Sequence, residues 1–74
     1  MEHDMKRRAG EILLNLRLEY GISQRELAET VSDIGPSLSD RHYRRIEKGQ
    51  MVPSVMLAMT ICSVLGSDVY EVWG

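Results

Sequence analysis

The sequence predicts an all-α fold of five short helices, and three observations carry that prediction. Apolar residues recur at three- and four-residue spacing in successive segments, the period of a helix with one buried face. Serine, aspartate and glycine punctuate those segments in the order that starts and stops helices. No segment sustains the apolar–polar alternation of a strand.

The first helix is expected from about Met5 to Tyr20, with Ala9, Ile12, Leu13, Leu16 and Tyr20 on its inner face. Gly21 then takes the left-handed position that ends many helices. Ser23 opens the second helix, and Glu26 three residues on completes a capping box. Leu27, Ala28, Val31 and Ile34 continue its face, so the helix gains an extra turn before Gly35-Pro36 stops it. Either Ser37 or Ser39 caps the third helix, with Leu38, Tyr43 and Ile46 inward and Gly49 as the stop. Pro53-Ser54 begins the fourth, whose buried stripe is Val55, Ala58, Ile61, Cys62 and Leu65 before Gly66. Ser67 or Asp68 caps a last short helix that folds Val69, Val72 and Trp73 back on the core.

Seventy-four residues, 1–74, are expected to form a single domain. A chain of this size buries only roughly 60% of its unfolded surface, so helix packing and self-association have to supply stability. The one cysteine, Cys62, lies in an apolar run and reads as a small core residue. With His3 and His42 far apart, no metal site follows. No Gly-rich phosphate loop and no Ser-His-Asp order is visible, so no enzyme, cofactor or small-molecule ligand is expected. No apolar run reaches the length of about 20 that crosses a bilayer. The charged Met1–Arg8 stretch lacks the hydrophobic region of a signal peptide. The expected location is therefore the cytoplasm.

The net charge is −2, which argues against indiscriminate binding of polyanions. Its distribution is uneven. Residues 1–22 balance, 23–34 are acidic, and no basic residue follows Lys48. Between 35 and 48, Arg41, Arg44, Arg45 and Lys48 outnumber Asp40 and Glu47, which suits a single docking face. Arg41, Arg44 and Arg45 stand at i, i+3 and i+4, so they share a helix face. The planar fork of arginine matches the O6 and N7 acceptors of guanine. Arg45 has a second option in pairing with Glu29 or Asp33, and His42 is either a base or phosphate contact or simply exposed. Asp40 serves the helix N-terminus through the dipole, with acceptance from a cytosine amino group as the alternative. Lys6-Arg7-Arg8 reads as a solvated first turn, or else as an arm on a nucleic-acid backbone, and His3 as an ordinary terminal residue.

A serine-capped helix with Gln24 at its mouth, followed by a short basic helix, is the layout of a helix-turn-helix. At these residues the chain resembles the Cro/C1-type, XRE-like family of bacterial and phage repressors. The matching stretches are Gly10-x-Ile12-x-x-x-Leu16-Arg17, Tyr20-Gly21-Ile22-Ser23-Gln24-x-x-Leu27-Ala28, Ile46-Glu47-Lys48-Gly49, Pro53-Ser54, Leu65-Gly66 and Val69-Tyr70. The resemblance implies a five-helix, lambda-repressor-like domain in which helices two and three are the DNA-reading pair, acting as a dimer on a palindrome. It implies that Gln24 clamps a phosphate and that base-reading positions fall on Ser39, Asp40, Arg41, His42, Arg44 and Arg45. Ile46, Glu47 and Gly49 then look structural, with Lys48 near the DNA backbone. One departure is plain: Ser32 to Ser37 make the turn between Val31 and Leu38 several residues longer than the family pattern.

The expected function is sequence-specific binding of double-stranded DNA by a small transcriptional regulator of the repressor kind, nucleoid-associated and encoded by a bacterium or phage. The rival is a protein-interaction module that keeps this scaffold with weak or lost DNA binding. The acidic overall balance, Asp40 and the lengthened turn favour the rival. Homodimerisation is expected through the fourth and fifth helices at Met56, Met59 and Trp73, with Met51 and Val52 alongside. The face of helix one carrying Leu14 and Leu18 is the alternative dimer surface.

Overall fold

The computed structural model describes the backbone of residues 2–74 and the side chains from residue 5 onward. The side chains of Glu2, His3 and Asp4, and with them the reading of His3, lie outside the described residues. Five helices follow one another: α1 (Glu2–Tyr20), α2 (Gln24–Ile34), α3 (Asp40–Glu47), α4 (Val55–Val64) and α5 (Val69–Trp73). Helix α1 thus begins ahead of the expected Met5, and Lys6, Arg7 and Arg8 lie within it. No strand is present among the described residues.

Each of the last four helices starts where a side-chain oxygen meets an otherwise unpaired backbone N–H. Ser23 Oγ accepts from Glu26 N at 3.0 Å, while Ser23 N donates to Glu26 Oε1 at 2.9 Å, closing the capping box. Donation from the Ser23 backbone first, and from its hydroxyl second, holds the Glu26 carboxyl below its ordinary pKa. Of the two serines available to α3, Ser39 caps, accepting from His42 N at 3.0 Å. Ser54 and Asp68 do the same for α4 and α5. Gly21 ends α1 at φ +85°, in the left-handed region.

Helix α1 packs on α3 and α5, α2 on α3 and α4, and α4 on α5. Their shared core holds Leu13, Leu27, Val31, Tyr43, Ile46, Ile61 and Val72, all essentially without solvent exposure. Each large apolar side chain buried this way contributes about 1.5–3 kcal/mol.

Three residues expected inside stand outside: Tyr20 is 58% exposed, Ile34 65% and Val55 72%. Each occupies the first or last residue of its helix, where the core no longer lies opposite. Helix α4 buries Ala58, Ile61 and Cys62 as expected, with Leu65 at its C-terminal end, and adds Leu57 to that stripe. Its sequence, Val-Met-Leu-Ala-Met-Thr-Ile-Cys-Ser-Val, is apolar nearly all round, so periodicity does not show that Val55 falls outside.

The long interval between Val31 and Leu38 resolves into two parts. Helix α2 continues to Ile34, and Gly35 N donates back to Val31 O at 2.8 Å. The rest is a clasped turn: Ser32 Oγ accepts from Leu38 N at 2.9 Å and donates to Leu38 O at 3.0 Å. That one hydroxyl fastens the entry of α3 to the last turn of α2.

Candidate nucleic-acid interface

The placement of α3 depends on a charged clamp behind it. Arg17 lies one helical turn beyond Leu13, on the row of α1 that faces the core. A cation on that row demands an anion, and α3 supplies Glu47. Arg17 Nε donates to Glu47 Oε2 at 3.0 Å and Nη2 to Oε1 at 2.9 Å, a bidentate pair whose side chains are 10% and 6% exposed. Arg17 Nη1 also donates to the Ile22 carbonyl at 3.1 Å, and Gln24 Nε2 to Glu47 Oε1 at 3.1 Å. The end of α1, the start of α2 and the end of α3 are therefore joined at one carboxylate.

Burial alone would raise the Glu47 pKa, but the Arg17 guanidinium and the other donors outweigh it and hold the carboxyl below its ordinary range. The same bond raises Arg17. The Tyr43 hydroxyl is enclosed beside the pair without a well-formed hydrogen bond among the described residues. Burial first, and the Glu47 charge with it, push that phenol above its usual value. Two glycines let the helices approach this closely. A Cβ on Gly10 of α1 would strike the Glu47 carbonyl oxygen, and Gly49 turns at φ +77° against the Arg7 backbone. Gln24, expected at a phosphate, thus has one amide hydrogen committed to Glu47 and the rest of its amide free.

The clamp fixes what α3 presents to solvent. With Tyr43 and Ile46 buried, Arg41, Arg45 and Lys48 stand at i, i+4 and i+7 on the opposite side, all exposed. None of the three has an ion-pair partner among the described residues. Glu29 pairs instead with Arg25, Nε to Oε2 at 3.4 Å, which leaves Arg45 free of the alternative considered for it. Arg44 lies to one flank and is held by Asp40, Nη2 to Oδ2 at 2.7 Å. An exposed pair at this spacing stabilises a helix by only about 0.3–0.5 kcal/mol. His42 lies to the other flank, half-buried, where it lines a shallow hollow with Ser39, Arg41, Arg45 and Met51. Both acids of α3 are consequently neutralised, one from inside and one along the helix, and the outward row is purely cationic.

The remaining apolar surface lies across α4 and α5. Val55, Met56, Met59 and Tyr70 are exposed there, around a groove of about 580 Å³ floored in part by Cys62 and Val69. Trp73, expected both against the core and in that surface, is half-buried and packs on the core. Leu14 and Leu18 are exposed on α1. Cys62 is buried, and burial together with the nearby Asp68 and Glu71 raises its thiol to about 11, so it is un-ionised and inert at neutral pH. Arg8 Nη2 donates to the Gly74 carbonyl at 2.8 Å, drawing that side chain toward α5. No group of acids, histidines and cysteine among the described residues is placed to hold a metal, and no helix is long and apolar enough to cross a membrane.

Two helices joined by a clasped turn, the second braced from behind and cationic in front, define a helix-turn-helix protein. The order of the five helices extends that likeness over most of the chain. The chain belongs to the Cro/C1-type helix-turn-helix family, whose model, described as Helix-turn-helix, matches residues 13–72. It is similar to the uncharacterized HTH-type transcriptional regulator YgzD of Bacillus subtilis (strain 168), 36% identical over 58 residues that cover 78% of this chain and 80% of that protein. Among solved structures it is similar to the clp gene regulator ClgR of Corynebacterium glutamicum, with a TM-score of 0.79 and 28% identity over 92% of this chain and 67% of that one. The family is one of DNA-binding regulators and is not an enzyme class.

Proposed function

We propose that this protein binds double-stranded DNA sequence-specifically and represses transcription, with α3 laid in the major groove. The outward row of Arg41, Arg45 and Lys48, uncompensated on a helix fixed from behind, is the observation that carries the proposal. In this reading Gln24 and Lys48 meet phosphates, which position the protein. Ser39, Arg41, His42, Arg44 and Arg45 meet base edges, which specify the site. The protein acts in the cytoplasm, on the nucleoid, as a homodimer joined through Met56, Met59 and the surrounding α4–α5 surface. Its two copies of α3 then reach half-sites about one helical turn apart. That apolar groove is also what favours the other reading, a protein-interaction module on the same scaffold.

Fluorescence anisotropy against a random-sequence duplex at rising salt separates the two. Each phosphate neutralised contributes a slope of about −0.9 in log K against log salt, so the three cations of one protomer predict about −2.7. An Arg41→Ala/Arg45→Ala variant loses about two-thirds of that slope. Absence of salt-dependent binding to any duplex contradicts the proposal and leaves the interaction module.

A further inference from the structure

We infer that Asp40 determines base specificity by positioning Arg44, so that the pair is the unit that reads one base pair. The inference rests on the DNA-binding reading above. Of the two acids on α3, Glu47 is committed to Arg17 in the interior. Asp40 is the first residue of the helix, half-buried on the flank that faces α2, one turn before the exposed Arg44. A carboxylate there repels DNA unless its charge is taken up. Arg44 takes it up, at 2.7 Å from Oδ2. The other oxygen, Oδ1, is enclosed and has no hydrogen-bond partner among the described residues. Oδ1 is therefore not offered outward, and Oδ2 already accepts from Arg44, which disfavours the cytosine-acceptor role considered for Asp40. The contact on which Asp40 acts is then the one to Arg44.

Arg44 keeps what base reading needs. Its guanidinium has five N–H groups, of which Asp40 takes one, and its side chain is 55% exposed. Four N–H groups, those of Nη1 and Nε among them, remain for guanine O6 and N7. Holding the side chain in advance removes part of an ordering cost, and a pair of this strength makes that worth about twofold in binding. It also makes the pair neutral, so Arg44 releases no counterion and is a poor contact for a bare phosphate. Arg41 and Arg45, with no such partner, have the mobility and charge that phosphates accept from many geometries. The helix thus carries two mobile arginines, whose full charge also serves phosphates, beside one pre-positioned arginine that reads a single base pair.

The test begins by selecting duplexes with the parent protein from a pool randomised over about two helical turns. Anisotropy competition then compares the selected duplex with its single-base-pair variants, for the parent and for Asp40→Asn, Asp40→Glu and Arg44→Ala. A guanine preference at one half-site position is expected in the parent and is expected to vanish in Arg44→Ala. Asp40→Asn, checked for an intact fold by circular dichroism, should weaken that preference by about twofold while steepening the salt slope by about 0.9, as Arg44 turns to a phosphate. Asp40→Glu still reaches four residues along the helix and should restore both. The inference is overturned if Asp40→Asn keeps the parent's preference and slope, or if Arg44→Ala leaves every position unchanged. A parent that enriches no duplex overturns the DNA-binding reading itself, and this inference with it.

Discussion

Replacing Arg17 by Met while keeping Glu47 removes one half of the interior clamp and leaves a buried carboxylate unpaired. Breaking a buried ion pair from one side costs about 3–5 kcal/mol, a large part of the 5–15 kcal/mol total of an ordinary domain. For a chain of this size each kcal/mol lowers Tm by about 4–8 °C, so Arg17→Met should melt about 12–40 °C below the parent. The pH dependence should invert as well. In the parent, Glu47 titrates below its unfolded value. Its contribution is present above the unfolded pKa of about 4.3 and is lost as pH falls through the lower, folded value. In Arg17→Met the burial effect acts with its main opponent gone, so the folded pKa rises above the unfolded one. That variant should gain stability on acidification from neutral pH toward 4, where the parent gains none from this group. Urea unfolding followed by circular dichroism across that pH range, read as the difference between variant and parent, isolates the group. Adding Glu47→Leu to Arg17→Met should recover most of the loss, because no charge is then left buried. A single variant that melts within about 5 °C of the parent and follows the parent's pH profile would refute the clamp.

The close approach of α1 to α3 predicts that Gly10→Ala, whose Cβ meets the Glu47 carbonyl oxygen, costs at least about 1–3 kcal/mol in thermal melting. Ser32→Ala leaves the Leu38 N–H and carbonyl without their clasp and should cost about 1–3 kcal/mol. Its DNA affinity should fall further than its stability, since the clasp aims α3. A Met56→Glu/Met59→Glu variant should be monomeric by light scattering and melt like the parent monomer, because both side chains are exposed within the chain. Dimers that persist in that variant would place the self-association surface elsewhere, with Leu14 and Leu18 the next candidates.

Much of this arrangement was legible in the residues because helix starts and stops are local. The Ser23–Glu26 box and the Gly21 turn need only a few neighbouring residues to form, and they stand where spacing puts them. The phase of α4 was legible in Ala58, Ile61, Cys62 and Leu65, but a helix apolar on most sides gave no polar face to exclude Val55 or to add Leu57. Arg17 stands in the sequence only as part of the Leu16-Arg17 match, with no role of its own, because a charged residue on an apolar row reads as an interruption. Its spacing of four from Leu13, together with a glutamate beside the buried Ile46, was the available signal. Counting arginines on α3 by spacing alone grouped Arg41, Arg44 and Arg45. The same i, i+4 rule also pairs Asp40 with Arg44, and the core-facing positions of Tyr43 and Ile46 replace Arg44 with Lys48 in the outward row. The excess length after Val31 divides between the extra helical turn that Ile34 and Gly35-Pro36 announced and the Ser32 clasp, which sequence spacing did not show.

The central claim, that α3 is the face that meets DNA, is tested most directly by amide NMR during titration with a duplex selected by the protein. Perturbations should gather on Ser39–Lys48 and at Gln24, at the mouth of α2, and should weaken steadily as salt rises. Perturbations centred on Val55, Met59 and Tyr70, or none at any salt concentration, would contradict it.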